Sequence, residues 1–386
     1  MGQRLNFKNF TAKINLKEKK KIIKYLKKIN LSQWPQFFES FKKSYKYSYN
    51  KKFLKKFKKF ERINIIGMGG SSLGSKAIYY FLKNKIKKKV YFYENFIIKK
   101  EKKPKSLNLV ISKSGNTLET ISNFNNLLQK GDKNIFITEN KNNFLRKLAS
   151  KLKSDVIEHK NYIGGRFSAL SEVGMLPSEL MGLNEKKFKQ FNNLITKKYF
   201  LDNLINNVLS IYKFTKNQKN NSVILNYDPF SESLFKWYQQ LVSESLGKKS
   251  KGIMPIISKM PKDNHSLLQL YLSGFKKNFY TFYIVEENET KKLRSNLLFD
   301  EFKLLKGKNY FEIINSQRRA TENIFKIKNI PYRSFYIKKR NEETIGELFC
   351  FFTLEVILLS KLLKVNPLDQ PEVELVKKET FQILKS

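Results

Sequence analysis

The chain has 386 residues, of which one is cysteine (Cys350) and two are histidines (His159 and His265). A single thiol excludes an internal disulfide framework and fits a reducing compartment. So few thiols and imidazoles leave no zinc site of ordinary composition, and no acidic cluster has the look of a magnesium site. Long apolar runs are also missing. The greasiest stretch, LFCFFTLEVILLSKLL (348–363), is interrupted by Glu355 and Lys361. It falls short of the ~20 apolar residues that a membrane helix needs, and it reads as a buried helix. The opening MGQRLNFKNF lacks an apolar core of signal-peptide length. Asn6 stands where the myristoylation pattern requires Ser or Thr. No membrane association is expected, and the expected address is the cytoplasm.

Acidic residues are scarce: 33 Asp plus Glu against 76 Lys plus Arg, a net charge of +43. Such a balance invites a nucleic-acid reading. The lysines, however, are spread along the whole chain. In KKFLKKFKKF (51–60), Phe53, Phe57 and Phe60 share one helical stripe and lysines fill the rest. Lysine filling solvated faces argues against a dedicated nucleic-acid surface. A general attraction for anionic metabolites follows either way.

A chain of this length implies two domains of ~150–200 residues. RINIIG (62–67), VYFY (90–93), LNLVIS (107–112) and NIFIT (134–138) read as strands. SLGSKAIYYFL (72–82) and TLETISNFNNLLQKG (117–131, closed by Gly131) read as helices. After a helical, Asn-rich stretch near 185–220 the alternation resumes. SVILNY (222–227) and FYTFYIV (279–285) read as strands, with a helix at 232–247 between them. Strand–helix alternation predicts an α/β fold of two doubly wound parallel-sheet domains. The expected division is a helical lead-in at 1–50, α/β domains at 51–200 and 201–345, and a C-terminal helix and loop at 346–386.

Six segments carry chemistry. GMGGSSLG (67–74) gathers Gly67, Gly69, Gly70 and Gly74 with Ser71 at a strand–helix turn. Such a turn lets backbone N–H groups and a helix N-terminus approach an anion. Its spacing is neither a dinucleotide fingerprint nor a Walker loop. VISKSGNTLET (110–120) makes a second such turn, with Ser112, Lys113, Ser114, Asn116 and Thr117. Hydroxyls, a lysine and free N–H groups suit a phosphate monoester, although Ser114 or Thr117 could serve only as a helix cap. YIGGRFSALSEVGMLP (162–177) places Arg166 after paired glycines, where a planar donor can reach an oxyanion. In WYQQLVSESLG (237–247), Gln240 and Glu244 are four apart and share a helix face with Trp237; Leu234, Tyr238, Leu241 and Val242 lie on the buried side. A carboxylate there, against a cleft, can act as a base. DNHSLLQLYLSG (263–274) holds His265, while His159 reads as surface. NPLDQPEVELVKKE (366–379) is turn-rich and carries Asp369, Gln370 and Lys377.

In this order, the six segments resemble the phosphoglucose isomerase family. SKSGNTLET is similar to its phosphate motif, GGRFSALSEVG to its G-G-R-[FY]-S segment, ESLGK to E-S-x-G-K, DNHS to D-x-H-S, and DQPEVELVK to D-Q-x-G-V-E-x-G-K. The resemblance covers roughly 61–378. It implies two sugar-isomerase (SIS) domains with helical N- and C-terminal segments. The implied activity is interconversion of glucose 6-phosphate and fructose 6-phosphate in glycolysis and gluconeogenesis, with no cofactor and no metal. It implies that Gly70, Ser71, Ser112, Lys113, Ser114 and Thr117 hold the phosphate, with Gln240 and Gln370 also binding substrate. Glu244 would move the proton between C2 and C1, and Arg166 would steady the cis-enediol oxygen. His265 would open the sugar ring, with Glu119 orienting it and Lys377 sharing the work. A homodimer is implied, with His265 supplied across the interface. The departures are Asn116 for threonine, Leu368 for phenylalanine, and Glu372 and Val376 for two glycines beside Lys377, which Lys378 adjoins. Two alternatives stay open: a SIS-domain sugar-phosphate sensor without turnover, and an isomerase acting on both glucose and mannose 6-phosphates.

Overall fold

Short, near-continuous apolar runs form the strands of two sheets in a computed structural model. It describes residues 5–8, 10, 15–29, 35–96, 104–286, 291–294 and 300–386. The chain opens with β1 (Leu5–Lys8), α1 (Leu16–Ile29), a 3₁₀ turn (Gln36–Phe41) and α2 (Lys51–Lys55). The first sheet follows: β2 (Arg62–Ile66), α3 (Leu73–Phe81), β3 (Lys89–Tyr93), β4 (Leu107–Ile111), α4 (Leu118–Leu127), β5 (Lys133–Thr138), α5 (Phe144–Lys151) and β6 (Asp155–Glu158). Its order is β3-β2-β4-β5-β6, every pair parallel. Ile63, Ile65, Leu107, Leu109, Ile135 and Ile137 point to one face, and Ile66, Val110 and Phe136 to the other. Burial on both faces is what such near-continuous apolar strands require.

A helical stretch comes next: α6 (Glu172–Leu180), α7 (Glu185–Phe188), α8 (Phe191–Ile195) and α9 (Lys198–Lys216). The second sheet is built from β7 (Asn221–Asn226), α10 (Glu232–Leu246), β8 (Met254–Lys259), α11 (Leu268–Ser273), β9 (Asn278–Val285), α12 (Tyr310–Ile327) and β10 (Tyr332–Ile337). The chain closes with α13 (Glu342–Leu363) and α14 (Pro371–Ile383). The order in the second sheet is β1-β10-β9-β7-β8. All pairs are parallel except β1–β10, where Leu5 faces Ile337 antiparallel. The expected α/β fold of two parallel-sheet units is therefore present. The lead-in adds a strand, β1, that a helical reading of 1–50 lacks.

A layer of helices between the sheets carries the central core: α3 packs on α10, and α10 and α9 on α13. In α13 every residue except Glu343 and Lys361 is buried. The run 348–363 is thus the buried helix expected, begun six residues earlier. Among the described residues no helix is long and apolar enough to cross a membrane. Two local expectations need correction. Segment 51–60 is helical only to Lys55, though Phe57 is buried and Phe53 and Phe60 pack on the core. α4 stops at Leu127, because Asp132 folds back to accept from Gln129 N and Ser106 N in the turn that holds Gly131.

Candidate active site

Both turns expected to bind an anion lie at the carboxyl ends of the neighbouring parallel strands β2 and β4, where open α/β sheets bind ligands. After β2 the chain makes a 3₁₀ turn, Gly69–Ser71, and enters α3. A Cβ on Gly70 would sit 2.2 Å from the Gly165 carbonyl carbon, so two backbones touch where only glycine fits. Ser168 Oγ ties them, donating to Gly70 O at 3.0 Å and Gly165 O at 2.7 Å. After β4, Ser112 Oγ lies 2.8 Å from Thr117 Oγ1 and 3.4 Å from Ser114 Oγ, and it accepts from Gly115 N. Gly115 has φ +71° and packs on Asn143. Thr117 occupies the N-cap position of α4 but makes no capping bond, so its hydroxyl is turned to Ser112. Asn116 is engaged structurally, its Oδ1 accepting from Phe144 N at the start of α5.

The third element is α10. Leu234, Tyr238, Leu241 and Val242 are buried as their spacing predicts, and so is Trp237, whose Nε1 donates to Arg166 O at 3.2 Å. Glu244 Oε2 lies 2.7 Å from Arg166 Nη1, and Glu244 Oε1 accepts from Gln240 Nε2 at 2.8 Å. Arg166 is 3% exposed, while the Glu244 side chain keeps 24% exposure. The guanidinium also donates to Gln370 Oε1 (2.8 Å), Pro367 O (2.7 Å) and Asp369 O (2.9 Å). Its Nε is buried with no partner among the described residues. Lys248, just past α10, pairs with Asp369 at 2.7 Å and holds that carboxyl below its ordinary value.

These parts enclose a cavity of about 460 Å³ lined by Gly70, Ser71, Lys113, Ser114, Thr117, Gln240, Glu244, Gln370 and Lys377. Ser112 lies buried just behind it. Lys377 stands on α14, a helix with no buried residue, and pairs with Glu374 at 2.7 Å. That tail is the helix the turn-rich reading lacks, begun by a proline at its first position. A second cavity, of about 730 Å³, adjoins Gln240 and Glu244 and is walled by α3 and α10.

Two expected residues are not gathered there. His265 is exposed after the 3₁₀ turn Lys262–Asn264, and it lines neither cavity. Glu119, half-buried in the first turn of α4, lines neither. His159 is not on the surface: it is 2% exposed, its backbone N–H donates to Thr138 O at 2.8 Å, and burial pushes its ring down to about 4. Glu139 and Lys141 line the cavity unforeseen. Glu139 pairs with Lys141 and, at 3.5 Å, with Lys113, whose amine also donates to Asn161 O. The signal for them was available: they follow β5, the third strand end on the same sheet edge.

The family profile described as phosphoglucose isomerase matches residues 36–386. The chain belongs to the phosphoglucose isomerase family. It is 32% identical over 347 residues to the glucose-6-phosphate isomerase of Methanocaldococcus jannaschii, covering 84% of this chain and 85% of that protein. It is 32% identical over 356 residues to the glucose-6-phosphate isomerase of Mycoplasmopsis synoviae, covering 84% and 83%. Two solved structures share its fold. One is a hypothetical protein from Thermus thermophilus (TM-score 0.80, 21% identity, 96% and 94% of the two chains). The other is a glucose-6-phosphate isomerase from Chlamydia trachomatis (TM-score 0.68, 20% identity, 86% and 72%). As a phosphoglucose isomerase family member, the chain is a sugar-phosphate aldose–ketose isomerase.

Proposed function

We propose that this chain interconverts glucose 6-phosphate and fructose 6-phosphate through a cis-enediol(ate), in the cytoplasm, in glycolysis and gluconeogenesis. The observation that carries the reading is the Glu244–Arg166 contact of 2.7 Å on the wall of a cavity whose other side is a cradle of hydroxyls. The phosphate sits against Ser71, Ser112, Ser114 and Thr117, where hydroxyls and the N-terminal amides of α4 match a dianion. Its binding energy orients a sugar that reacts several bonds away. Glu244 takes the proton from C2 and returns it to C1. One positioned carboxylate is enough, because nothing is oxidised overall. Arg166 faces the charge that develops on the enediolate oxygen. Gln240 holds the second carboxylate oxygen of Glu244, and Gln370 holds Arg166.

Opening the closed sugar ring falls to Lys377 and His265. Since His265 lies away from the cavity of its own chain, we assign it to the site of a second copy in a homodimer. The second cavity beside Glu244 leaves room for that segment. Glu119 keeps its orienting role only within such an assembly. The division into units at 51–200 and 201–345 remains our reading, with β1 added to the later one.

A coupled assay with purified protein tests the activity. Bound sugar phosphate without turnover would favour a sensor, and comparable rates on mannose 6-phosphate would favour dual specificity. Mixing inactive His265→Ala and Glu244→Gln chains tests the shared site. An equal mixture should recover about a quarter of the normal activity, since half the dimers are hybrids and each hybrid keeps one intact site. No recovery on subunit exchange would place the histidine in its own chain's site.

A further inference from the structure

Lys189 follows α7 and is 3% exposed. Lysine is almost never so buried without partners. Here its Nζ donates to Ser40 O, in the 3₁₀ turn Gln36–Phe41, and to Leu170 O. The faces of Tyr45 and Tyr47 lie 5.3 and 5.0 Å from the same atom. The cage is fixed in turn. Tyr45 Oη donates to Glu172 Oε2 at 2.8 Å, and Ser48 N to Glu172 Oε1 at 3.1 Å. Glu172 is itself buried at the start of α6. Burial pushes the Lys189 amine down to about 7, with the charge of Glu172 opposing. A neutral amine still has two N–H donors, and two carbonyls receive them.

Leu170 is the last residue of the 3₁₀ turn Gly165–Leu170, and Arg166 is its second. The buried amine and the guanidinium therefore hold opposite ends of one short turn. Phe37 stacks on Phe167 at 4.1 Å and bears on the turn from the same lead-in segment. No residue of the cage lines either cavity.

We propose that Lys189 is a positioning residue for Arg166: by pinning Leu170 O to the lead-in segment, it fixes the turn that aims the guanidinium at Glu244. This rests on the role given to Arg166 above.

Lys189→Met keeps length and bulk and removes both donors. It should lower kcat about tenfold or more, since small misplacements at a reacting centre are costly. KM for glucose 6-phosphate should change much less than kcat, since the Ser112–Thr117 turn is untouched and only the Gly70 loop meets the 165–170 turn, through Ser168. In an Arg166→Lys background the same change should cost little further, because the two act through one group. A folded Lys189→Met enzyme with normal kcat, or full additivity in that cycle, would overturn the proposal. Tyr45→Phe, which keeps the ring but frees Glu172, should show a smaller loss in kcat with the same KM pattern. It carries the test if Lys189→Met does not fold, and normal kcat there counts against the proposal. Amide hydrogen exchange separates this idea from the parent reading. Faster exchange at 165–170 in Lys189→Met supports it even if the wild type proves inactive, and unchanged exchange there refutes it.

Discussion

Arg166 Nη1 and Glu244 Oε2 meet at 2.7 Å, although 78 residues separate them in the chain. The arginine comes from the turn after the first sheet and the carboxylate from a helix of the second. The contact is therefore made by the fold as a whole. In the proposed reaction the guanidinium holds one oxygen of the base, and the enediolate oxygen forms next to that pair. Glu244→Gln keeps the shape and the bond to Gln240 but cannot carry a proton. It should lower turnover by at least ~10²-fold while sugar-phosphate binding persists. Initial rates together with competitive inhibition by a sugar-acid phosphate check this, and near-normal turnover would remove the base assignment.

Thr117→Val tests the phosphate cradle. The change deletes one hydroxyl from the Ser112–Thr117 pair and leaves α4 without loss of a cap, since Thr117 makes none. A lost hydrogen bond to a charged group should raise KM about tenfold or more, with little effect on kcat. A matching fall in kcat with unchanged KM would place the phosphate elsewhere.

Gly70→Ala tests the contact between the two glycine loops. The new methyl group would fall 2.2 Å from the Gly165 carbonyl carbon, and backbone on both sides leaves it no room. Overpacking of this kind costs about 1–3 kcal/mol. It also shifts the turn that carries Arg166, so kcat should fall together with the denaturation midpoint. Normal kinetics and stability would mean that the loops can part freely.

Much of this arrangement was legible because it is local. Small residues at strand ends, and apolar spacing in the helices that follow, locate both strand–helix turns and the buried face of α10 without any knowledge of the fold. What stayed hidden depends on distant partners. β10 reads poorly because Arg333 breaks its apolar run, and the residue that makes Arg333 tolerable, Glu355, lies on α13. β8 carries Pro255 and lies at a sheet edge, where proline is allowed but the strand signal is weak. His159 stands between Glu158 and Lys160, which suggests surface; it lies just past the pairing of β6 with β5, bonded to Thr138 O and buried. The carbonyls of Pro367 and Asp369 on Arg166 follow from no spacing rule.

His159 makes a pH prediction. Its folded value is about 4, lowered by burial, against an ordinary value near 6.5. Between those limits the unfolded chain binds the extra proton, so stability rises with pH across that window and is lost as pH falls through it. The full effect is at most about 3 kcal/mol. Urea midpoints should therefore drop from pH 6.5 to pH 4, and His159→Gln should flatten that part of the curve. An unaltered slope in the variant would mean that the imidazole is solvated.

The buried ion pair between β10 and α13 makes the last prediction. Arg333 and Glu355 are both fully buried and in direct contact. Arg333 also donates to Asn207 Oδ1 (2.8 Å) and Thr281 Oγ1 (2.9 Å), and Tyr238 of α10 donates to Glu355 Oε1 (2.7 Å). Removing one charge strands the other in a medium that cannot solvate it, which costs about 3–5 kcal/mol. Glu355→Leu should therefore destabilise the protein severely. Replacing both, as Arg333→Met with Glu355→Leu, should restore part of the loss, because no charge is left stranded, although Asn207, Thr281 and Tyr238 lose their partners. The double variant should also show whether the pair matters to the site. Tyr238 would lose its acceptor, and α10 would be free to rotate by the small angle that Glu244 cannot tolerate. Equilibrium unfolding and kcat measured on the same samples separate the two effects. Recovered stability with reduced kcat assigns the pair to orienting α10, and recovery of both confines it to the core.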